Sequence, residues 1–275
     1  MTGVQQLAEK FALLKKRSEK ALVTYITAGD PDMQTTGRLV LAMDRAGADI
    51  IELGVPFSDP SADGPVIQRA STRALRNHTN PAGILKLVEE VREKVKTPLV
   101  LMSYYNPILQ YGLNAFCADA ARAGVAGLII PDLPVEEAGP LITEADKVGL
   151  ALIPLAAPTS NRHRLAKITA AARGFIYCVT VTGITGTRQD VTGEIARLAG
   201  QVREFTDLPI VAGFGIATTD QAAAVARYCD GVVVGSALVR LVEEQGEDSL
   251  QSVAGLTRQL KGVLSSAQVQ FGKNG

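Results

Sequence analysis

Eight short apolar or β-branched runs recur down the chain, and their even spacing restricts the fold more than any other feature. They cover residues 22–27, 50–53, 99–104, 128–130, 150–155, 175–179, 210–212 and 232–234. Their first residues advance by about 30 positions on average, room for a strand, a helix and two loops, the repeating unit of a parallel sheet. The runs are near-continuously apolar rather than alternating, which marks strands covered on both faces. Eight such units can open into a doubly wound sheet or close into a barrel. A chain of 275 residues with eight units matches the (β/α)8 TIM barrel, an α/β fold. The intervening segments repeat apolar residues at three- and four-residue steps, as Leu85, Val88, Val91 and Val95 do. Asn161 and Thr218 or Thr219 are expected N-caps, and Gly47, Gly124 and Gly149 fall where helices should end. An extra amphipathic helix, residues 4–16, is expected across the barrel floor, with short extra helices in the loops after strands two and eight. No linker or shift in composition divides the chain, so residues 1–275 are expected to form a single barrel domain.

Charge and cysteine content narrow the function. Lys+Arg and Asp+Glu both number 28, which removes the basic surface of a duplex-DNA binder or a polybasic membrane protein. An anionic small molecule remains open, because backbone amides hold phosphate without net positive charge. Cys117, Cys178 and Cys229 form no CxxC pair and are expected to be buried apolar residues in a reducing compartment, the cytoplasm. No secretory signal or membrane-length apolar run is legible. His78 and His163, the only histidines, fall in loop or helix-start positions. A Ser-His-Asp triad or histidine metal site is therefore not expected, and no GxGxxG or P-loop pattern opens a helix.

In a barrel, function gathers where the strands end. Strand two ends in Glu52-Leu53-Gly54-Val55-Pro56-Phe57-Ser58-Asp59-Pro60. If Ile51 and Leu53 face the helices, alternation turns Ile50 and Glu52 into the barrel. A carboxylate there is partly desolvated, which raises its pKa toward the range of proton transfer. The alternative is a glutamate satisfied by a buried base, but no strand end supplies an evident one. Asp63 lies in a long segment from Gly54 to about Asn80, read as a loop; it either serves chemistry or caps a helix starting near Pro65. Asp59 and Asp132 are expected to brace turns or an interface. After strand six, Gly183 and Gly186 among threonines suggest a lid or an ordinary flexible loop. Paired glycines after strands seven and eight, Gly213 with Gly215 and Gly235 before Ser236, fit a phosphate site of backbone amides and a helix N-terminus.

Several runs together resemble the tryptophan synthase alpha chain family: ELGVPFSDP with ADGP, YITAGDP, LMSYYNPI, PDLP, VTGITGTR, AGFGI and VGSALV, in the family's order from Tyr25 to Val239. The resemblance implies a lyase that cleaves indole-3-glycerol phosphate to indole and glyceraldehyde 3-phosphate by a retro-aldol reaction in tryptophan biosynthesis. It implies no cofactor in this chain and a pyridoxal-phosphate beta chain as partner in an αββα heterotetramer. By motif position, Glu52 resembles the general acid/base and Asp63 the second catalytic carboxylate. Tyr25, Tyr104 and Tyr177 match residues around the indole ring and the reacting centre. Thr185 and Gly186 match the lid, the threonine pairing with the second carboxylate. Gly186, Phe214, Gly215, Gly235 and Ser236 match the phosphate grip. Pro56, Phe57, Asp59, Asn106 and Pro107 match loops that face the partner, and are expected to be exposed. Ser61 stands where many members carry an apolar residue, and Tyr25 where some carry phenylalanine. The alternatives are a stand-alone lyase of the same family, another phosphosugar barrel enzyme, and a non-catalytic allosteric barrel.

Overall fold

The computed structural model describes residues 1–179, 188–213 and 215–266. Among them, nine strands form one parallel sheet: β1 Ala21–Thr27, β2 Ile50–Gly54, β3 Leu99–Met102, β4 Val125–Ile129, β5 Ala151–Leu152, β6 Leu155–Ala156, β7 Ile176–Val179, β8 Ile210–Gly213 and β9 Gly231–Val234. Their order, β5-β4-β3-β2-β1-β9-β8-β7-β6, begins and ends on consecutive strands. The expected fifth run is thus one stave interrupted at Ile153-Pro154. It hydrogen-bonds to both flanks: Ile153 N–H donates to Leu128 O at 2.9 Å, and Pro154 O accepts from Tyr177 N–H at 3.1 Å. A proline has no N–H to give the ladder, so the strand breaks there while its carbonyls keep bonding. The ring closes as an eight-stave barrel.

Twelve helices are described: α1 Gly3–Lys16, α2 Met33–Arg45, α3 Pro65–Arg76, α4 Pro81–Arg92, α5 Tyr105–Tyr111, α6 Leu113–Ala123, α7 Gly139–Val148, α8 Arg162–Ala171, α9 Arg188–Arg203, α10 Thr219–Ala226, α11 Ser236–Gln245 and α12 Leu250–Ser265. Their ends follow local chemistry. Asn161 caps α8, and Thr218 forms a capping box with Gln221 at α10. Gly124 and Gly149 end α6 and α7 in the left-handed region, φ +93° and +70°.

The short extra helix expected in the long segment after β2 runs the full length of Pro65–Arg76. Pro65 starts α3, where a missing N–H costs nothing, and Ala70 and Ala74 bury its inner face. The extra helix is therefore as long as α4.

Two apolar layers form the core. One lies between barrel and helices and includes Ile51 and Leu53. The other fills the barrel and includes Val23, Tyr25, Ile50, Val100, Tyr177, Val211 and Val233. Strand alternation in β2 is as expected. Leu7, Phe11 and Leu14 of α1 join the inner layer, and Phe11 meets Phe175 at 5.7 Å between ring centroids. Helix α1 therefore plugs the N-terminal end of the barrel and leaves the opposite mouth for chemistry.

Candidate active site

Glu52 sits in the middle of β2, in register with Tyr25 of β1 and Val100 of β3. It is fully buried, and among the described residues neither carboxylate oxygen has a hydrogen-bond partner. A buried charge without a partner is costly, so the group moves its pKa instead. Burial first, and the nearby negative charge of Asp63 second, push the Glu52 carboxyl up to about 8. The alternative of a glutamate neutralised by a buried base does not hold among the described residues.

Asp63 ends the segment leading into α3. The N-cap of α3 is Gly64, without a side-chain cap bond, so Asp63 is not spent on capping. Burial pushes its carboxyl up to about 6, partly offset by a hydrogen bond from Tyr104 Oη at 3.1 Å. The same hydroxyl accepts from Ala62 N–H at 2.9 Å, so Tyr104 holds both backbone and carboxylate of the acidic loop. Phe57 stacks on Tyr104, with centroids 5.2 Å apart and planes inclined at 30°. Burial thus raises Glu52 further than Asp63, so Glu52 keeps its proton to higher pH than Asp63 does.

Tyr25 and Tyr177 are buried beside the acids, and burial raises both phenols well above their ordinary value. Each ring lies over a glycine of the next stave. A Cβ on Gly213 would fall 2.5 Å from Tyr177 Oη, and one on Gly54 would overlap the Tyr25 hydroxyl. Gly235 is constrained less severely: its Cβ would come within 3.2 Å of the Tyr25 ring, a tight contact that a small shift could relieve. The N-terminus of α11, at Ser236, therefore opens beside Tyr25. Its first amides precede any intrahelical partner and are available to an anion. Gly215 follows β8 with φ +71°, a conformation suited to glycine.

The structure thus gathers Glu52, Asp63, Tyr25, Tyr104, Tyr177, Gly235 and Ser236 at one mouth. Thr185, Gly186 and Phe214 lie outside the described residues. Of the partner-facing residues, Asp59 and Asn106 are exposed and Phe57 and Pro107 partly so, but Pro56 is buried. The expectation of an exposed Pro56 is corrected: Val55 N–H still donates to Met102 O at 2.8 Å, so the chain has not left the barrel wall at Pro56. Asp132 braces the start of α5, accepting from Tyr105 N–H at 2.9 Å. All three cysteines are free and buried, and both histidines are exposed. Among the described residues, no helix is long and apolar enough to cross a membrane, and no group of His, Cys, Asp or Glu could hold a metal.

Two neighbouring carboxyls with pKa values raised to different extents at the end of a barrel are suited to proton transfer, which places the chain among acid–base barrel enzymes. Residues 11–268 match the family model described as tryptophan synthase alpha chain. The tryptophan synthase alpha chain of Citrifermentans bemidjiense is 52% identical over 267 residues, covering 96% of this chain and 100% of the relative. That of Synechococcus elongatus is 48% identical, covering 96% and 98%. The crystal structure of the alpha chain from Legionella pneumophila superposes with a TM-score of 0.87 at 37% identity, covering 94% of this chain and 97% of that one. The chain belongs to the tryptophan synthase alpha chain family.

Proposed function

We propose that Glu52 and Asp63 carry out the alpha reaction of tryptophan biosynthesis, the retro-aldol cleavage of indole-3-glycerol phosphate to indole and glyceraldehyde 3-phosphate. The observation that supports this reading is the pairing, at one barrel mouth, of a fully buried Glu52 whose carboxyl oxygens have no partner among the described residues with an Asp63 held by the Tyr104 hydroxyl at 3.1 Å. Glu52, as the acid, gives its proton to carbon 3 of the indole ring, and Asp63 stabilises the positive charge developing at the ring N–H. Glu52, now a carboxylate, takes the proton of the glycerol hydroxyl. As that C–O becomes a carbonyl, the carbon–carbon bond breaks and its electrons restore aromatic indole. Glu52 regains its starting proton, and no redox step is involved.

Tyr25, Tyr104 and Tyr177 wall the indole and reacting centre, and the α11 amides at Ser236 with Gly215 and Gly235 take the phosphate; by motif, Thr185, Gly186 and Phe214 complete the enclosure. Family membership supports a pyridoxal-phosphate beta chain as the partner in an αββα assembly, with no cofactor in the alpha chain itself. It also supports a cytoplasmic site of action and one catalytic unit over residues 1–275. The test is indole release from indole-3-glycerol phosphate by the isolated chain, with and without a beta chain. General acid–base assistance is typically worth ~10²–10⁴-fold, so Glu52→Gln should lose at least about a hundredfold. A variant keeping a tenth of wild-type indole release would refute the assignment.

A further inference from the structure

An ion-pair cluster outside the reacting centre joins three elements that frame it. Arg73 of α3 donates from Nε and Nη2 to the two carboxylate oxygens of Asp30, both at 2.8 Å. From Nη1 it donates to Glu243 of α11 at 2.7 Å. Arg69, one turn earlier on α3, holds the same Glu243 through Nε at 2.7 Å and Nη2 at 2.8 Å. Asp30 is buried, 3% exposed, in the loop after β1, the strand that carries Tyr25.

Helix α3 starts at Pro65, directly after Asp63 and Gly64, while α11 starts at Ser236, where the amides face the mouth. Arg73 lies eight residues into α3 and Glu243 seven into α11, roughly two turns along each helix. The cluster therefore fastens the two helices at matching depth, with both N-termini pointing to the same mouth. Val66, Ile67 and Ala70 of α3 and Val239 of α11 share the apolar layer inside this fastening. Apolar contact permits small sliding, whereas a planar guanidinium bonded to two carboxylates fixes direction as well as distance.

We propose that Arg73 is a positioning residue: by tying α11 to α3 and to the β1 loop, it fixes the span between the phosphate-binding amides and Asp63. A substrate held at both ends requires that span to match its own length, and small misplacements of reacting groups are expensive in rate. Lysine would keep the charge of Arg73 but not its three directed bonds.

This inference rests on the proposed phosphate site, and its test separates the two. Inorganic phosphate is titrated as a competitor of indole-3-glycerol phosphate in the wild-type chain, Arg73→Lys and Glu243→Gln, below the melting temperature of each. If phosphate does not compete in the wild type, the site assignment fails before the positioning question arises. If it competes, Arg73→Lys should lower kcat/KM by at least about tenfold while its inhibition constant for phosphate stays within about twofold. A change in melting temperature alone, with kcat/KM intact, would mean that the cluster is merely structural and would overturn the proposal. So would parallel loss of phosphate affinity, since Arg73 would then be maintaining the grip itself. Should Arg73→Lys fail to fold, Glu243→Gln decides by the same readouts, because it leaves the pair of Arg73 with buried Asp30 in place.

Discussion

Tyr104 donates its hydroxyl to Asp63 at 3.1 Å although the two lie 41 positions apart. That bond favours the ionised carboxylate, against a burial effect that favours the acid. Tyr104→Phe removes the opposing contribution, so the Asp63 pKa should rise further above about 6. The acid limb of the pH profile of kcat/KM should move to higher pH, read between about pH 5 and 9. A shift to lower pH, or none, would contradict this role.

Glu52 makes the stability of the chain depend on pH in a direction opposite to that of salt-bridged carboxylates. Its pKa rises from 4.5 to about 8 on folding, so between those values the folded chain keeps a proton that the unfolded chain has lost. Wild-type stability must therefore fall as pH rises through this window. Glu52→Gln has no proton to lose. It should match the wild type below about pH 4.5 and exceed it by a few kcal/mol near pH 8, at about 1.4 kcal/mol per pH unit. Urea melts across the range check this; an advantage that does not grow with pH would show that Glu52 is not held neutral.

Gly213→Ala places a methyl 2.5 Å from the Tyr177 hydroxyl. The ring must shift to relieve the clash, and kcat/KM should fall by about tenfold or more, a misplacement effect. Because Tyr177 is buried, the same crowding should also cost about 1–3 kcal/mol of stability, so the kinetics are read on the folded fraction. Unaltered kinetics would remove Tyr177 from the site.

Phe11→Ala acts at the other end of the barrel. It leaves a hole against Phe175 and should cost about 3–5 kcal/mol of stability, measured by urea unfolding. Activity per folded molecule should stay unchanged, since the plug lies away from the mouth.

Asn106 is exposed and Pro56 is buried, so the two partner-facing positions should respond differently. Asn106→Glu should reduce stimulation by a beta chain while the isolated chain keeps its KM. Pro56→Glu should lower the melting temperature, because it forces a charge into the interior. Equal effects on stimulation, without loss of stability at Pro56, would contradict the burial.

The barrel was legible because its physics is periodic. Alternation puts Ile50 and Glu52 on one face of β2 and Ile51 and Leu53 on the other, and the structure turns the first pair inward. Where side chains are small, the signal weakened: β4 begins at Val125 rather than 128, since Ala126 and Gly127 carry little apolar pattern. Gly127 is nonetheless required, as a Cβ there would come within 2.8 Å of Ala151 O. The helix after Asp63 is legible from Pro65 at its start, but its length is not, because Gln68, Arg69, Thr72 and Arg73 interrupt the apolar pattern. The Arg73 cluster carried no local signal, because its partners lie 43 and 170 positions away. Glu52 is legible from its position on strand two, and Asp63, Tyr25 and Tyr177 from the motifs; the seating of the two tyrosines over Gly54 and Gly213 shows only when neighbouring strands stand in register.

The stave that breaks at Ile153-Pro154 still bonds to β4 on one side and β7 on the other, and this has a consequence for recognition. A sheet with two ends offers rows of unpaired amides on which a foreign strand can zip. Here both ends belong to the same stave and already satisfy each other's neighbours. Another polypeptide therefore cannot join this molecule by extending its ladder. It must be met by side chains on rims and helices, a surface that can vary from lineage to lineage without disturbing a single rung within.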